Sequence, residues 1–468
     1  MSRKSKFVQN TLVLSIGAFL PKFATVITIP LLTACLTKEE YGTYDLFVVL
    51  VSLLLPALTL QIQTAAFRYL VDEKDSIANI KSIVSTIFAF SIPVSLVSLI
   101  VLWFVMPVDN RIVKVFICGY FFVDIIANTT RQIARGLQRN LDYSLSAVIS
   151  AFGKLIFVSI FVWYLKLGLI GATISLFLAS LISWIILAYR VKLIKYISVS
   201  SVSKNQLNKL ISYSWPMVPN NMSMWVMRLS DRFVVTAFLG VSWNAIYAVA
   251  NKIPGLLSLA QSPFTMAWQE NASIVSKDHD ASAYYSDMFQ TMFDFIAGFL
   301  GLLICMTPVL FKILIRGDYD DAYAQMPLLF LAHLFYAMAT FLGGIYVAYK
   351  KTKSVGITTM IAAIVNLLID LTTIRFIGLY AASISTLISY TVLFVYRMVD
   401  VQKIVFVKIK LGHIFLVVSI LLLELFLCFL RLPITDIING VLGLIVFAYL
   451  DKSVILRLIK LLKNQIMH

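Results

Sequence analysis

WPMVPNNMSMWVMRLSDRFVVTAFL, from Trp215 to Leu239, is long and apolar enough to cross a bilayer, yet it carries Arg228, Asp231 and Arg232. Residues i, i+3 and i+4 share one face of a helix. A charge at mid-bilayer costs roughly 2.5–3.5 kcal/mol on the insertion scale, so three on one face call for a polar interior rather than lipid. The face reads as the wall of a cavity that holds an anionic group. The other reading is one neutralised pair, Asp231 with an arginine, pinning helices together. That reading leaves one positive charge over.

Composition sets the setting. Of 468 residues 60% are hydrophobic and 13% charged, and the mean hydropathy is +0.90. A water-soluble fold cannot hide that much apolar surface, so the chain reads as an all-α polytopic membrane protein. Its four cysteines, Cys35, Cys118, Cys305 and Cys428, form no CxxC pair and lie in or beside apolar runs. They read as small core residues, not as disulfides or metal ligands. His279, His333, His413 and His468 have no ligand spacing, so no metal is expected. The basic start Arg3, Lys4, Lys6 runs into a long apolar segment that reads as a first span rather than a cleavable signal.

Fourteen apolar segments approach the ~20 residues that a membrane helix needs. They cover about residues 10–36, 44–70, 82–106, 112–134, 143–165, 169–189, 210–239, 243–269, 286–312, 324–349, 354–375, 378–399, 411–430 and 434–450. An even number puts both termini on one side. Of the 39 Lys and Arg, 26 fall on that side, among them Lys74, Arg457, Lys460 and Lys463, and 8 on the other. By the positive-inside rule both termini are cytoplasmic. The asymmetry accounts for most of the formal net charge of +16 without nucleic acid as a partner. Five basic residues remain inside spans: Lys22, Lys154, Arg228, Arg232 and Lys252. Four of them sit in spans 1, 7 and 8. Lys154 is expected to pair with Asp124 of the neighbouring span. Pro21, Pro30, Pro56, Pro216, Pro219, Pro254 and Pro263 gather in or beside spans 1, 2, 7 and 8, where kinks free backbone carbonyls.

The halves echo each other. LTKEEYGTY from Leu36 matches LGVSWNAIY from Leu239 in length and place, and GLIGATIS from Gly168 matches GLYAASIS from Gly378. Each of the latter pair follows a basic loop, ARGLQRN from Ala134 or AYKKTKS from Ala348. The expected organisation is a six-helix lobe over 1–200, a second over 201–405 in pseudo-twofold relation to it, and two further helices with a basic cytoplasmic tail over 406–468. Such repeats are a transporter signature, with the substrate site between the halves.

The opening FVQNTLVLSIGAFLPKFATVITIPLLTACLTKEEYGTYDL (Phe7 to Leu46), LTLQIQTAAFRYL in span 2, and SYSWPMVPNNMSMWVMRLSDRFVVTAFLGVSWNAIYAVANKI over spans 7 and 8 resemble one family. It is the polysaccharide flippase family, the O-antigen and capsule repeat-unit translocases of the multidrug/oligosaccharidyl-lipid/polysaccharide transporter superfamily. The resemblance implies a bacterial inner-membrane translocase, not an enzyme. It would move undecaprenyl-diphosphate-linked oligosaccharide to the outer leaflet by alternating access, for O-antigen, lipopolysaccharide, capsule or exopolysaccharide synthesis. A polysaccharide polymerase and a chain-length regulator are the protein partners it implies. Lys22, Arg228, Arg232 and Lys252 are then candidate diphosphate contacts, with Arg68 at the cytoplasmic mouth and Asp231 orienting an arginine. Arginine offers phosphate a planar fork and lysine a mobile point charge. Gln61, Asn220, Asn221, Asn251 and Gln261 are candidate sugar or water contacts, since an amide bonds hydroxyls in either sense. Interhelical bonds are their other reading. No cofactor is expected. Coupling to a proton or sodium gradient would use Asp124, Asp294 or Asp370, all at membrane depth.

Other classes fare less well. No GxxxxGK[ST] or GxGxxG occurs, which argues against an ATP-driven pump. A membrane polysaccharide polymerase or glycosyltransferase needs a sizeable outer loop, and the outer loop near Arg316 to Asp321 is short. A multidrug extrusion antiporter would share the fold, but its mostly cationic substrates conflict with a net basic cavity.

Overall fold

The computed structural model describes residues 3–73, 76–106 and 108–452, with the side chains of residues 3–16, 105, 263, 266 and 267 left out. Lys74, Arg457, Lys460 and Lys463, and the side chains of Arg3, Lys4, Lys6 and Pro263, therefore lie outside the described residues. The described chain is helical and holds no strand. It divides into two compact units, Met1–Met222 and Ser223–His468.

The first unit opens with α1 (Arg3–Cys35) and α2 (Lys38–Leu58). Thr37 and Glu40 close a capping box at the start of α2. Glu40 Oε1 also accepts from Leu169 N at 3.1 Å, tying two helix starts at one end of the unit. Span 2, expected as one run over 44–70, is instead α2 followed by α3 (Ile62–Asp72). Leu60 and Gln61 both take positive φ, 49° and 58°, and a left-handed pair cannot continue a helix. Then come α4 (Ile77–Val105), α5 (Arg111–Gly136), α6 (Asn140–Val158), a π-turn over Ser159–Tyr164, and α7 (Gly168–Val191). α8 (Lys204–Ser214) lies in the segment expected to open the second half, yet it packs on α3 and α4. Ser198 N and Ser203 N donate to the hydroxyls of Ser85 and Thr86 and hold this linker down on α4. Beneath it a core of Ile62, Ala66, Leu70, Ile83, Val84 and Ile87 is almost fully buried.

α9 (Met217–Leu229) bridges the boundary, and the second unit continues with α10 (Asp231–Leu239), α11 (Val241–Ala250), α12 (Lys252–Gly255) and α13 (Leu257–Val275). Spans 7 and 8 are therefore interrupted at single residues, Ser230, Asn251 and Leu256, each of which keeps right-handed helical φ and ψ. Twelve other helices, counting α6 with its π-turn as one, are long and apolar enough to cross a membrane among the described residues. At Ser230 and Asn251 the side chain turns back on the backbone. Ser230 Oγ donates to Val226 O at 2.6 Å and Asn251 Nδ2 to Tyr247 O at 2.9 Å. Such bonds compete with the helical ladder, and Pro254 lacks the N–H that would continue it.

The unit ends with α14 (Ala281–Leu314), α15 (Asp320–Ala348), α16 (Thr352–Ile377), α17 (Tyr380–Val401) and a C-terminal hairpin, α18 (Leu411–Leu430) and α19 (Pro433–Leu450). The hairpin packs mainly on α14. Where the sequence repeat was read, the backbone repeats as well. In ARGLQRN, Arg139 N bonds Ala134 O at 2.8 Å and Gln138 N bonds Arg135 O at 3.0 Å. In AYKKTKS, Lys351 N bonds Tyr346 O at 2.7 Å and Lys350 N bonds Val347 O at 3.0 Å. Gln138 and Lys350 share φ near 59°. Gly168 and Gly378 share φ of 55° and 57°, a region that favours glycine. The helices that follow also pair alike: α5 and α6 pack on α7, and α15 and α16 pack on α17.

Candidate substrate and ion-binding residues

A buried polar cluster of the second unit forms where α10, α11, α16 and α17 meet. The break at Ser230 ends α9 and starts α10 with Asp231, which is 2% exposed. Its Oδ2 accepts from Tyr247 Oη and from Thr386 Oγ1, both at 2.7 Å. Tyr247 Oη also stands 3.2 Å from Ala382 O. Arg232, buried beside Asp231, lays its guanidinium over the Tyr247 ring, 4.8 Å from the centroid. Asp370 reaches the same place from α16. It is fully buried, its carboxyl faces that of Asp231, and no protein donor meets either of its oxygens. Asn366, one turn before Asp370, accepts from Ser230 Oγ at 3.3 Å and donates to Ser385 Oγ at 3.4 Å. Two carboxyls, an amide, two hydroxyls and a backbone carbonyl thus surround one buried point. Such a set of oxygens can hold a proton or a small hard cation.

Arg228 stands apart from this cluster. Its side chain is exposed, with its guanidinium 5.7 Å from the Tyr336 ring centroid. The charged stretch expected over residues 228–232 thus runs from exposed Arg228 to buried Asp231 and Arg232. Asn251 and Lys252 occupy the next break, both half-buried. The Asn251 amide is spent on the Tyr247 carbonyl. Gln261, on α13, is buried.

Lys22, Gln61, Arg68, Asn220 and Asn221 belong to the first unit. Lys22 is half-buried on α1. Gln61 is the buried left-handed residue ahead of α3, and its carbonyl accepts from Thr64 Oγ1 at 2.7 Å. Arg68 is exposed and paired with Asp72 at 2.5 Å. Asn220 and Asn221 are half-buried on the first turn of α9, and Asn220 Oδ1 is buried without a donor.

The membrane-depth acids fall in three different settings. Asp124 meets Arg131 at 3.5 Å and Asn128 at 3.0 Å, both on its own helix. The expected Lys154–Asp124 pair is therefore corrected. Lys154 Nζ stands 5.4 Å from the Tyr44 ring centroid instead, since residues four and seven positions on already share the face of Asp124. Asp294 takes Gln290 at 2.9 Å and His413 at 2.7 Å. Asp370 is the one that faces the Asp231 carboxyl. Tyr247, Asn366 and Thr386 did not stand out in the sequence. The one local hint was Asn366 four residues before Asp370, a single turn on one face.

The fold is similar to that of solved transporters of the MOP superfamily. A multidrug resistance MATE family transporter of that superfamily, solved in the inward-facing conformation, is 15% identical and superposes with a TM-score of 0.60, over 81% of this chain and 98% of that one. A multidrug resistance MATE family transporter of the MOP superfamily in an outward-facing conformation gives 14% and 0.57, over 85% and 95%. A MOP-superfamily transporter from Pyrococcus furiosus Vc1 (DSM3638), whose binding pocket is described as reversed in polarity, gives 14% and 0.59, over 84% and 95%. At such identities the likeness speaks for the fold alone. No curated protein sequence matches. The family itself is shown by sequence: residues 7–269, more than half of the chain, match the polysaccharide biosynthesis protein family, and the chain belongs to it.

Proposed function

We propose that this protein translocates undecaprenyl-diphosphate-linked oligosaccharide repeat units across the bacterial inner membrane, from the cytoplasmic to the outer leaflet, for surface polysaccharide synthesis. The observation that carries the reading is where the family match falls. Residues 7–269 contain Lys22, Arg68, Arg228, Arg232 and Lys252, all the basic residues assigned to the diphosphate. A diphosphate crossing a bilayer must exchange water for fixed positive charge, and arginine and lysine supply it. The amides of Asn220, Asn221 and Gln261 suit the sugar hydroxyls that follow.

The buried cluster of Asp231, Asp370, Asn366 and Thr386 is the coupling site in this reading. Two facing carboxylates repel, and a proton or sodium ion between them removes the repulsion. Occupancy then biases the packing of α10 and α11 against α16 and α17, and transport follows the ion gradient. The polysaccharide polymerase and chain-length regulator act on the delivered unit.

A leaflet-resolved assay of the lipid-linked intermediate tests the proposal. In cells whose only copy carries Arg228→Glu or Lys252→Glu, lipid-linked units accumulate in the cytoplasmic leaflet at normal protein level. Normal export would reject the assignment. Single repeat units displayed outside but unpolymerised would point to a polymerase, and intact polysaccharide with lost drug resistance to an extrusion antiporter.

A further inference from the structure

The C-terminal hairpin contains buried acids that substrate translocation does not use. Glu424 on α18 is fully buried, and neither of its carboxyl oxygens meets a hydrogen-bond donor. Asp451, at the end of α19, is 1% exposed and likewise has no donor at either oxygen. Both carboxyls lie over glycines of α14. A Cβ on Gly301 would stand 3.0 Å from Glu424 Oε2, and a Cβ on Gly298 would collide with Asp451 Oδ2. One turn before Gly298 on the same stripe is Asp294, held by His413 Nε2 at 2.7 Å. Asp294, Gly298 and Gly301 are spaced i, i+4 and i+7, so they line one face of α14. The three carboxyls follow that face from a partly exposed end to a fully buried one. Asp294 and His413 side chains are 23% and 29% exposed. Gly298 and Gly301 are separated by about 4.5 Å of helix rise.

An ionised glutamate with no donor is costly at membrane depth, and a leucine would fill the same space without that penalty. Bases nearby are engaged elsewhere: Arg431, at the end of α18, meets Asp320 at 3.3 Å and covers the Tyr323 ring. The other titratable groups beside Glu424 are Cys305 on α14 and Cys428 on α18, and Cys428 is in turn near Tyr323 on α15 and Asp436 on α19. Among the described residues no three His, Cys, Asp or Glu converge as a metal site. A proton is the ligand that needs no such convergence.

We propose that α14 and the C-terminal hairpin form a proton-binding line, running from the partly exposed Asp294–His413 pair, past Asp451, to the fully buried Glu424. Each step moves one proton from a protonated donor to a carboxylate. The proton that reaches Glu424 neutralises a carboxylate that no hydrogen-bond donor meets. Dicyclohexylcarbodiimide, which modifies protonated carboxyls in apolar surroundings, tests this on the purified full chain in detergent, with peptide mass spectrometry as the readout. The expected result is modification at Glu424 that falls about tenfold per pH unit on its alkaline limb, as the protonated fraction does. Asp294→Asn should slow proton uptake after a jump to acid pH, followed by stopped flow with an indicator dye, by an order of magnitude or more, with the same end point of label. Absence of label at Glu424 in the folded protein, label that does not vary with pH, or protection by sodium at fixed pH would each overturn the proposal. So would an unchanged rate of proton uptake in Asp294→Asn.

Discussion

Removing the hydroxyl of Tyr247 isolates one contact at the centre of the buried cluster. Tyr247→Phe keeps the ring under Arg232 and deletes only the donor to Asp231 Oδ2 at 2.7 Å. A hydrogen bond to a charged group is worth about 1.5–3 kcal/mol, and a neutral one about 0.5–1.5 kcal/mol. The hydroxyl has one proton. Its shortest contact is the carboxylate, ahead of the Ala382 carbonyl at 3.2 Å and Thr386 at 3.1 Å. The expected loss is therefore about 2 kcal/mol. Asp231→Asn in the same background should recover little of it, so a double-mutant cycle should return a coupling energy of about 1–2 kcal/mol. Equilibrium unfolding in mild detergent, followed by a thiol-reactive dye, provides the assay, because Cys118 and Cys428 are buried until the chain opens. Sodium adds a second axis. A cation bound in the cluster stabilises by RT ln(1 + [L]/Kd), about 2.7 kcal/mol at a hundredfold excess over Kd. Asp370→Asn should abolish that increment while proton-dependent stabilisation disappears in parallel. A coupling energy near zero, with no response to sodium or to pH in the wild type, would refute the reasoning that this cluster is an ion site.

Two further outcomes follow from other parts of the fold. Burial and the neighbouring Asp294 push the Asp451 carboxyl up to about 7, against an ordinary value of 3.8. The folded state then binds a proton that the unfolded state has released, so the stabilising contribution is full below about pH 4 and is lost as pH rises to about 7. The loss is at most about 4 kcal/mol, and Asp451→Asn should flatten the pH dependence of heat stability over that window. Glu40→Ala should cost about 1–2 kcal/mol, because it removes both the capping-box bond to Thr37 N at 3.0 Å and the tie to Leu169 N. The loss should read out as a lower unfolding midpoint, with Glu40→Gln recovering only part of it, because its single amide oxygen can replace one of the two accepting oxygens.

What sequence alone determined was everything set by short range or by solvent. Apolar run length and the partition of Lys and Arg identified a helical membrane protein, because bilayer thickness and the cost of burying charge act on each segment independently of its partners. The repeat was legible for a similar reason. ARGLQRN and AYKKTKS dictate the same local turn through their own backbone bonds, and Gly168 and Gly378 mark positive φ wherever they stand. Tertiary structure decided the rest. A helical wheel put Arg228, Asp231 and Arg232 on one face, but helices distant in sequence give them different surroundings: Arg228 is exposed near Tyr336, while Asp231 and Arg232 are buried against Tyr247. No periodicity could bring Tyr247, Asp370 and Thr386 to Asp231 from three other helices, since the contacts span 16, about 140 and 155 positions of chain. The surroundings of Glu424 and Asp451 are likewise set by a distant helix. Their partners are two glycines of α14, residues without side chains, whose role becomes visible only when another helix fills the space they leave.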